Sequence, residues 1–175
     1  MDISGINWAV FALGVFAVLL LAWTLVARRA KAGPAAGFVS LAHLSVAGLN
    51  SAAPVRGYLD PDYVGYGFGF AQADAGLAVT VVAGAIWLLA VTAGFLALAR
   101  NRLAMLFVLL VSTLFAVNLG YPLVRDQLQG KLPIVQLGEY LTIPGLLAMV
   151  LILAILVLPF LFATVWSASR LVRPR

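Results

Sequence analysis

The chain has no cysteine, one histidine and six acidic residues among 175. Without cysteine there is no disulfide, no thiolate metal site and no Cys nucleophile. A single histidine excludes a bis-histidine haem within one copy. Charged residues make up only 10% of the chain, whereas soluble domains carry about 25%, so a water-soluble globule is excluded. The 11 Lys and Arg leave a net charge of +5. No basic face can be assembled from them, so no nucleic acid is expected as a partner. Phosphate-cradling loops of the GxGxxG or Walker type and zinc spacings are missing as well.

What is present is long apolar sequence, with 64% of the residues hydrophobic. A bilayer core of about 30 Å takes about 20 helical residues, each rising about 1.5 Å. Four runs meet that length, over residues 6–27, 76–99, 103–124 and 141–166. A fifth, 34–55, is rich in Ala, Ser and Gly and holds His43 and Asn50, so hydropathy alone does not decide it. Charge does. With five crossings, Arg28, Arg29, Lys31, Arg100, Arg102, Arg170, Arg173 and Arg175 share one side with no acid. The other side takes Asp2, Asp60, Asp62, Asp74, Asp126 and Glu139, with only Arg56, Arg125 and Lys131.

The positive-inside rule then places the N-terminus outside and the C-terminus in the cytoplasm. The fold expected is all-α: a polytopic protein of five transmembrane helices in a bacterial inner (plasma) membrane. It forms a single domain over 1–175, with outer loops at 56–75 and 125–140. The leading residues MDISGIN carry an acid and no Lys or Arg, and the basic cluster follows the first run. That order reads as an N-out anchor and not as a cleaved leader.

The second run carries the most chemistry. At 100° per residue, Ala36, Ser40, His43, Ala47, Asn50 and Pro54 fall on one stripe, while Phe38, Leu41, Leu44 and Leu49 point elsewhere. His43 stands about midway along, where an unpartnered polar group costs several kcal/mol, so it must face protein. Three roles fit: a neutral imidazole bonded to Ser or Asn of a neighbouring helix, an axial ligand to a haem or chlorophyll-type pigment, or a proton relay. Met105 and Met149 are not level with it as second ligands. A Ser40–His43 protease lacks an orienting acid and an oxyanion loop.

In the third run, Gly76, Thr80 and Gly84 repeat at spacings of four, a small-residue seam that admits another backbone; Ala90 and Gly94 repeat it further on. In the fourth, Ser112, Thr113 and Asn118 are the polar groups, and Asn118 is placed to meet Asn50. Pro159 is expected to kink the fifth. No crossing holds Asp, Glu, Lys or Arg well inside its limits, which disfavours carboxylate-coupled transport, a retinal Schiff base and voltage sensing.

Residues 57–70 read GYLDPDYVGYGFGF. Tyr58, Tyr63, Tyr66, Phe68 and Phe70 are expected at headgroup level as a loop that docks a partner. Asp60-Pro61-Asp62 reads as a turn, with too few oxygens for a calcium loop. These features lead to a non-catalytic small integral subunit that packs in a larger inner-membrane complex of respiratory or photosynthetic type. Its partners are lipid and other membrane subunits or a second copy. A pigment- or haem-binding subunit with His43 as ligand is the first alternative. A small channel or transporter component with a polar path along Ser40, His43, Asn50 and Asn118 is the second.

Overall fold

The computed structural model of the chain describes residues 7–60, 62–63, 65–67, 70–73, 76–99, 101–128 and 155–172. Helix α1 spans Trp8–Ala30 and opens on an N-cap, the Asn7 Oδ1 accepting from Val10 N–H at 3.1 Å. It ends at Lys31, which adopts the left-handed conformation (φ 48°) and returns its N–H to the last carbonyls of the helix. Pro34 then begins α2 (Pro34–Asn50) at its first position, where a missing N–H costs nothing.

Ser51 interrupts the helix, and α3 (Ala52–Leu59) continues it. The cause is Pro54, which has no N–H to offer the Asn50 carbonyl. Together α2 and α3 run four residues beyond the expected limit of 55, so Arg56 and Tyr58 are helical and not part of a loop. Beyond Leu59, β1 (Gly65–Gly67) and β2 (Phe70–Ala73) pair antiparallel, Gly65 opposite Ala73 and Gly67 opposite Phe70 with an irregularity between. The fold is helical as expected, and this small hairpin holds the only strands among the described residues.

Helix α4 covers Gly76–Leu96 and α5 covers Arg102–Leu128. Asn101 caps α5, its Oδ1 accepting from Ala104 N–H at 2.6 Å. Helix α6 covers Leu158–Val172, six residues past the expected end. Pro159 therefore sits in a first turn, where the N–H groups of Phe160 and Leu161 both reach the Val157 carbonyl at 3.1 Å. The expected kink is a break at Val157 instead, since Pro159 has no N–H for the carbonyl four residues back. Residues 129–140 of the second outer loop and 141–154 of the fifth predicted helix lie outside the described residues.

Four of these helices are long and apolar enough to cross a membrane: α1, α2 with α3, α4 and α5. Helix α2 is at the centre, packed by α1, α4 and α6, and α5 closes against α4 and α6. Seven of its 17 residues are buried, against one of 23 in α1. The least apolar span is thus the most enclosed. Outside, the surface is hydrocarbon: Leu13, Val18 and Leu21 of α1, Leu110 of α5 and Val165 of α6 are all exposed. Such an exterior is untenable in water and suits a helical, multi-pass membrane protein.

Two glycines set how closely α2 approaches its neighbours. A Cβ on Gly48 would lie 2.7 Å from Phe16 Cβ of α1, and one on Gly94 would lie 2.8 Å from Leu44 of α2. Both positions take a residue without a side chain because the helices touch there.

Candidate functional site

The polar stripe of α2 meets α4 and α5 in the middle of the bundle. His43 and Ser40 are both fully enclosed. His43 Nδ1 lies 2.8 Å from the Val39 carbonyl one turn back. A carbonyl can only accept, so Nδ1 carries the proton. Nε2 then presents a lone pair, which faces the Ser112 hydroxyl of α5 at 3.1 Å, and that hydroxyl donates to it. The imidazole is neutral in this pairing, and both nitrogens are used. Its ring is walled by Phe115 of α5, centroids 5.9 Å apart, and by Phe160 of α6, edge-on at 5.2 Å. The two phenylalanines meet each other edge to face at 5.3 Å, a favoured aromatic geometry.

Ser40 does a different task. Its Oγ donates to the carbonyl of Gly94 in α4. That carbonyl lies in the last turn of its helix, where the ladder runs out. The N–H of Leu98, four residues on, turns to Phe95 instead. Ser40 therefore supplies the bond that the helix end lacks, from a neighbouring helix and inside the core.

The other residues of the stripe do not extend it. Asn50 donates Nδ2–H to the Val46 carbonyl of its own helix at 2.9 Å, and Asn118 is half-buried and engaged. In the small-residue seam, Gly76 opens α4 and Thr80 is half-buried and engaged. Gly84 faces Pro54 of α3 at an ordinary 3.9 Å, measured from a built Cβ. The tight contact is at Gly94, further along the same series.

Of the proposed docking aromatics, Tyr58 stands out from α3 and is 73% exposed. Tyr63 is half-buried under the guanidinium of Arg56, 4.3 Å from ring centroid to Cζ. Tyr66 and Phe70 are on the paired strands, and Phe68 lies outside the described residues. The Asp60–Asp62 turn forms, Asp60 Oδ1 accepting from Asp62 N–H at 3.2 Å. Among the described residues no three His, Asp or Glu converge as a metal site.

A haem or chlorophyll-type pigment at His43 needs an Nε2 lone pair facing open space wide enough for a macrocycle. Here that lone pair faces Ser112, and aromatic rings fill the flanks. The residues present do not fit an axial-ligand role.

Reasoning from sequence found His43, Ser40 and Ser112 as polar groups but not their pairing. Depth along the helices carries that signal. His43 is nine residues into α2 and Ser112 ten into α5, about 14 and 15 Å from the helix starts. The role of Ser40 is announced only by Gly94 sitting near the end of α4. The chain matches no protein-family model, no curated protein and no solved structure.

Proposed function

We propose that the chain is a non-catalytic integral subunit of a larger complex in a bacterial inner membrane, of the respiratory or photosynthetic type. It crosses five times, with its N-terminus outside and its C-terminus in the cytoplasm. The observation that carries this reading is the closure of the central polar set: Ser40 is spent on Gly94 and both nitrogens of His43 are spent on Val39 and Ser112. Groups consumed in holding helices together are not free to act as nucleophile, base or ligand.

Two features support a role beside other subunits. Helix α1 buries only Leu19 and leaves an apolar face with Val10, Leu13, Val18, Leu21 and Leu25 exposed. At the opposite end from the basic residues, Tyr58 projects as an exposed aromatic at headgroup level. The orientation rests on charge. Arg28, Arg29 and Lys31 close α1, Arg102 opens α5 and Arg170 closes α6, and Val39 of α2, Ala97 after α4, Val108 of α5 and Ala163 of α6 pack in one cluster toward that end. Asp60 and Asp62 lie at the other end, after α3.

The test is purification in mild detergent followed by native electrophoresis and identification of what travels with the chain. The expected result is a species well above 18.5 kDa with at least one further membrane subunit. A stable monomer with no companion refutes the proposal.

A further inference from the structure

We propose that Arg56 binds the phosphate of a glycerophospholipid headgroup, in the leaflet at the end of the bundle where α3 finishes. Arg56 follows Pro34 by 22 residues along α2 and α3, a rise of about 33 Å against a hydrocarbon core of about 30 Å. Its guanidinium is therefore level with headgroups, on the side opposite Arg28 and Arg29.

Three separate stretches of chain build the place. The guanidinium carbon lies 4.3 Å from the ring centroid of Tyr63 and 6.0 Å from that of Trp8, at the start of α1. The Nε atom is buried and has no hydrogen-bond partner among the described residues. A guanidinium keeps its charge and carries five N–H donors in one plane. Aromatic faces hold that plane by cation–π attraction but cannot accept its in-plane N–H bonds. The edge of the fork is left for an acceptor, and a phosphate takes two such bonds side by side.

Among the described residues no acid is paired with Arg56. Asp60, one turn on, turns its Oδ1 to the Asp62 N–H instead. Their two negative charges at the same end bear on the choice of anion. A phosphodiester carries one charge and is repelled less than free phosphate, which carries more, so the lipid form is favoured. The acyl chains of such a lipid then run down the exposed apolar faces of the helices below.

The experiment uses the full chain in detergent micelles, titrated with phosphatidylethanolamine, phosphatidylglycerol, diacylglycerol or inorganic phosphate. Lipid adducts are read by native mass spectrometry and by the shift in thermal midpoint. Both phospholipids are expected to bind and to raise the midpoint, and diacylglycerol to do neither. Arg56→Gln is expected to weaken phospholipid binding about tenfold or more, with Arg29→Gln at the far end unchanged. Tyr63→Leu keeps the charge and removes one ring, so it should weaken binding about two- to fivefold; it serves as the second variant if Arg56→Gln does not fold. Unaltered binding in Arg56→Gln and Tyr63→Leu, or diacylglycerol binding equal to phospholipid, overturns the proposal. Displacement of the lipid by equimolar inorganic phosphate also overturns it, in favour of a free-anion site.

Discussion

Among the described residues Ser112→Ala removes the only hydroxyl that reaches His43 Nε2 and leaves that nitrogen enclosed without a donor. An orphaned buried acceptor costs about 1–3 kcal/mol. Interhelical hydrogen bonds inside membranes have measured at about 0.6 kcal/mol on average and about 1.7 at most. The two ranges overlap at about 1–2 kcal/mol, which is the loss expected here. His43→Phe acts differently. It keeps a planar ring between Phe115 and Phe160 and removes both nitrogens at once, and the Ser112 hydroxyl can turn to the carbonyl one turn back on its own helix. Phenylalanine is somewhat larger than histidine, so the enclosed site is overpacked and the change costs about 1–3 kcal/mol. In the His43→Phe background there is no acceptor left to orphan, so adding Ser112→Ala should cost close to nothing. The four proteins form a double-mutant cycle with a coupling of about 1–2 kcal/mol. Reversible unfolding in bicelles, by steric trapping or SDS titration, measures it. Equal costs of Ser112→Ala in both backgrounds would refute the hydrogen bond as described. A His43→Phe protein that folds normally but loses its companion subunits or a bound pigment would refute the packing role.

Glycine substitutions separate the seam read from spacing from the contacts the helices make. Gly48→Ala and Gly94→Ala force Phe16 and Leu44 aside, so each should lose about 1–3 kcal/mol in the same unfolding assay. Gly84→Ala meets nothing closer than 3.9 Å and should gain up to about 1 kcal/mol from helix propensity. Equal effects at all three would contradict the geometry. Ser40→Ala leaves the Gly94 carbonyl without a donor and should lower stability by about 1–3 kcal/mol, whereas Thr113→Ala, at an exposed self-bonded site on α5, should change it by less than about 0.5 kcal/mol. Nitrogen-15 NMR of labelled histidine should show a proton on Nδ1 and none on Nε2; the reverse tautomer would break the assignment. Because the chain lacks cysteine, Tyr58→Cys and Arg29→Cys can each be labelled alone in intact cells. An impermeant thiol reagent should reach the first and not the second; reversed labelling would invert the orientation.

The inward direction of Ser40 and His43 was legible because helical periodicity fixes which residues share a face, and cost forbids a lone imidazole in hydrocarbon. The element ends were less so. Pro54 was read only as part of the polar stripe, without showing the break at Ser51 or the helix beyond it, and Pro159, expected to kink the fifth run, sits in the first turn of α6. The bond of Asn50 to its own helix was not legible: Val46 offers a carbonyl one turn back at no cost in ordering a second helix. Close approaches at Gly48 and Gly94 were the least legible. They depend on how α1 and α4 cross α2, and crossing angles follow from packing that no single helix encodes.

The enclosure of α2 also sets a timetable. His43 is made 69 residues before the hydroxyl that caps it, and Ser40 54 residues before its carbonyl. At about 5–20 residues per second of synthesis, His43 waits about 3–14 s for Ser112 to be made. Through that interval the least apolar span of the protein holds a polar stripe that lipid cannot satisfy. Its hydrogen bonding is completed only when α4 and α5 arrive beside it. Helix α2 is thus an early-made segment with a late-made partner set.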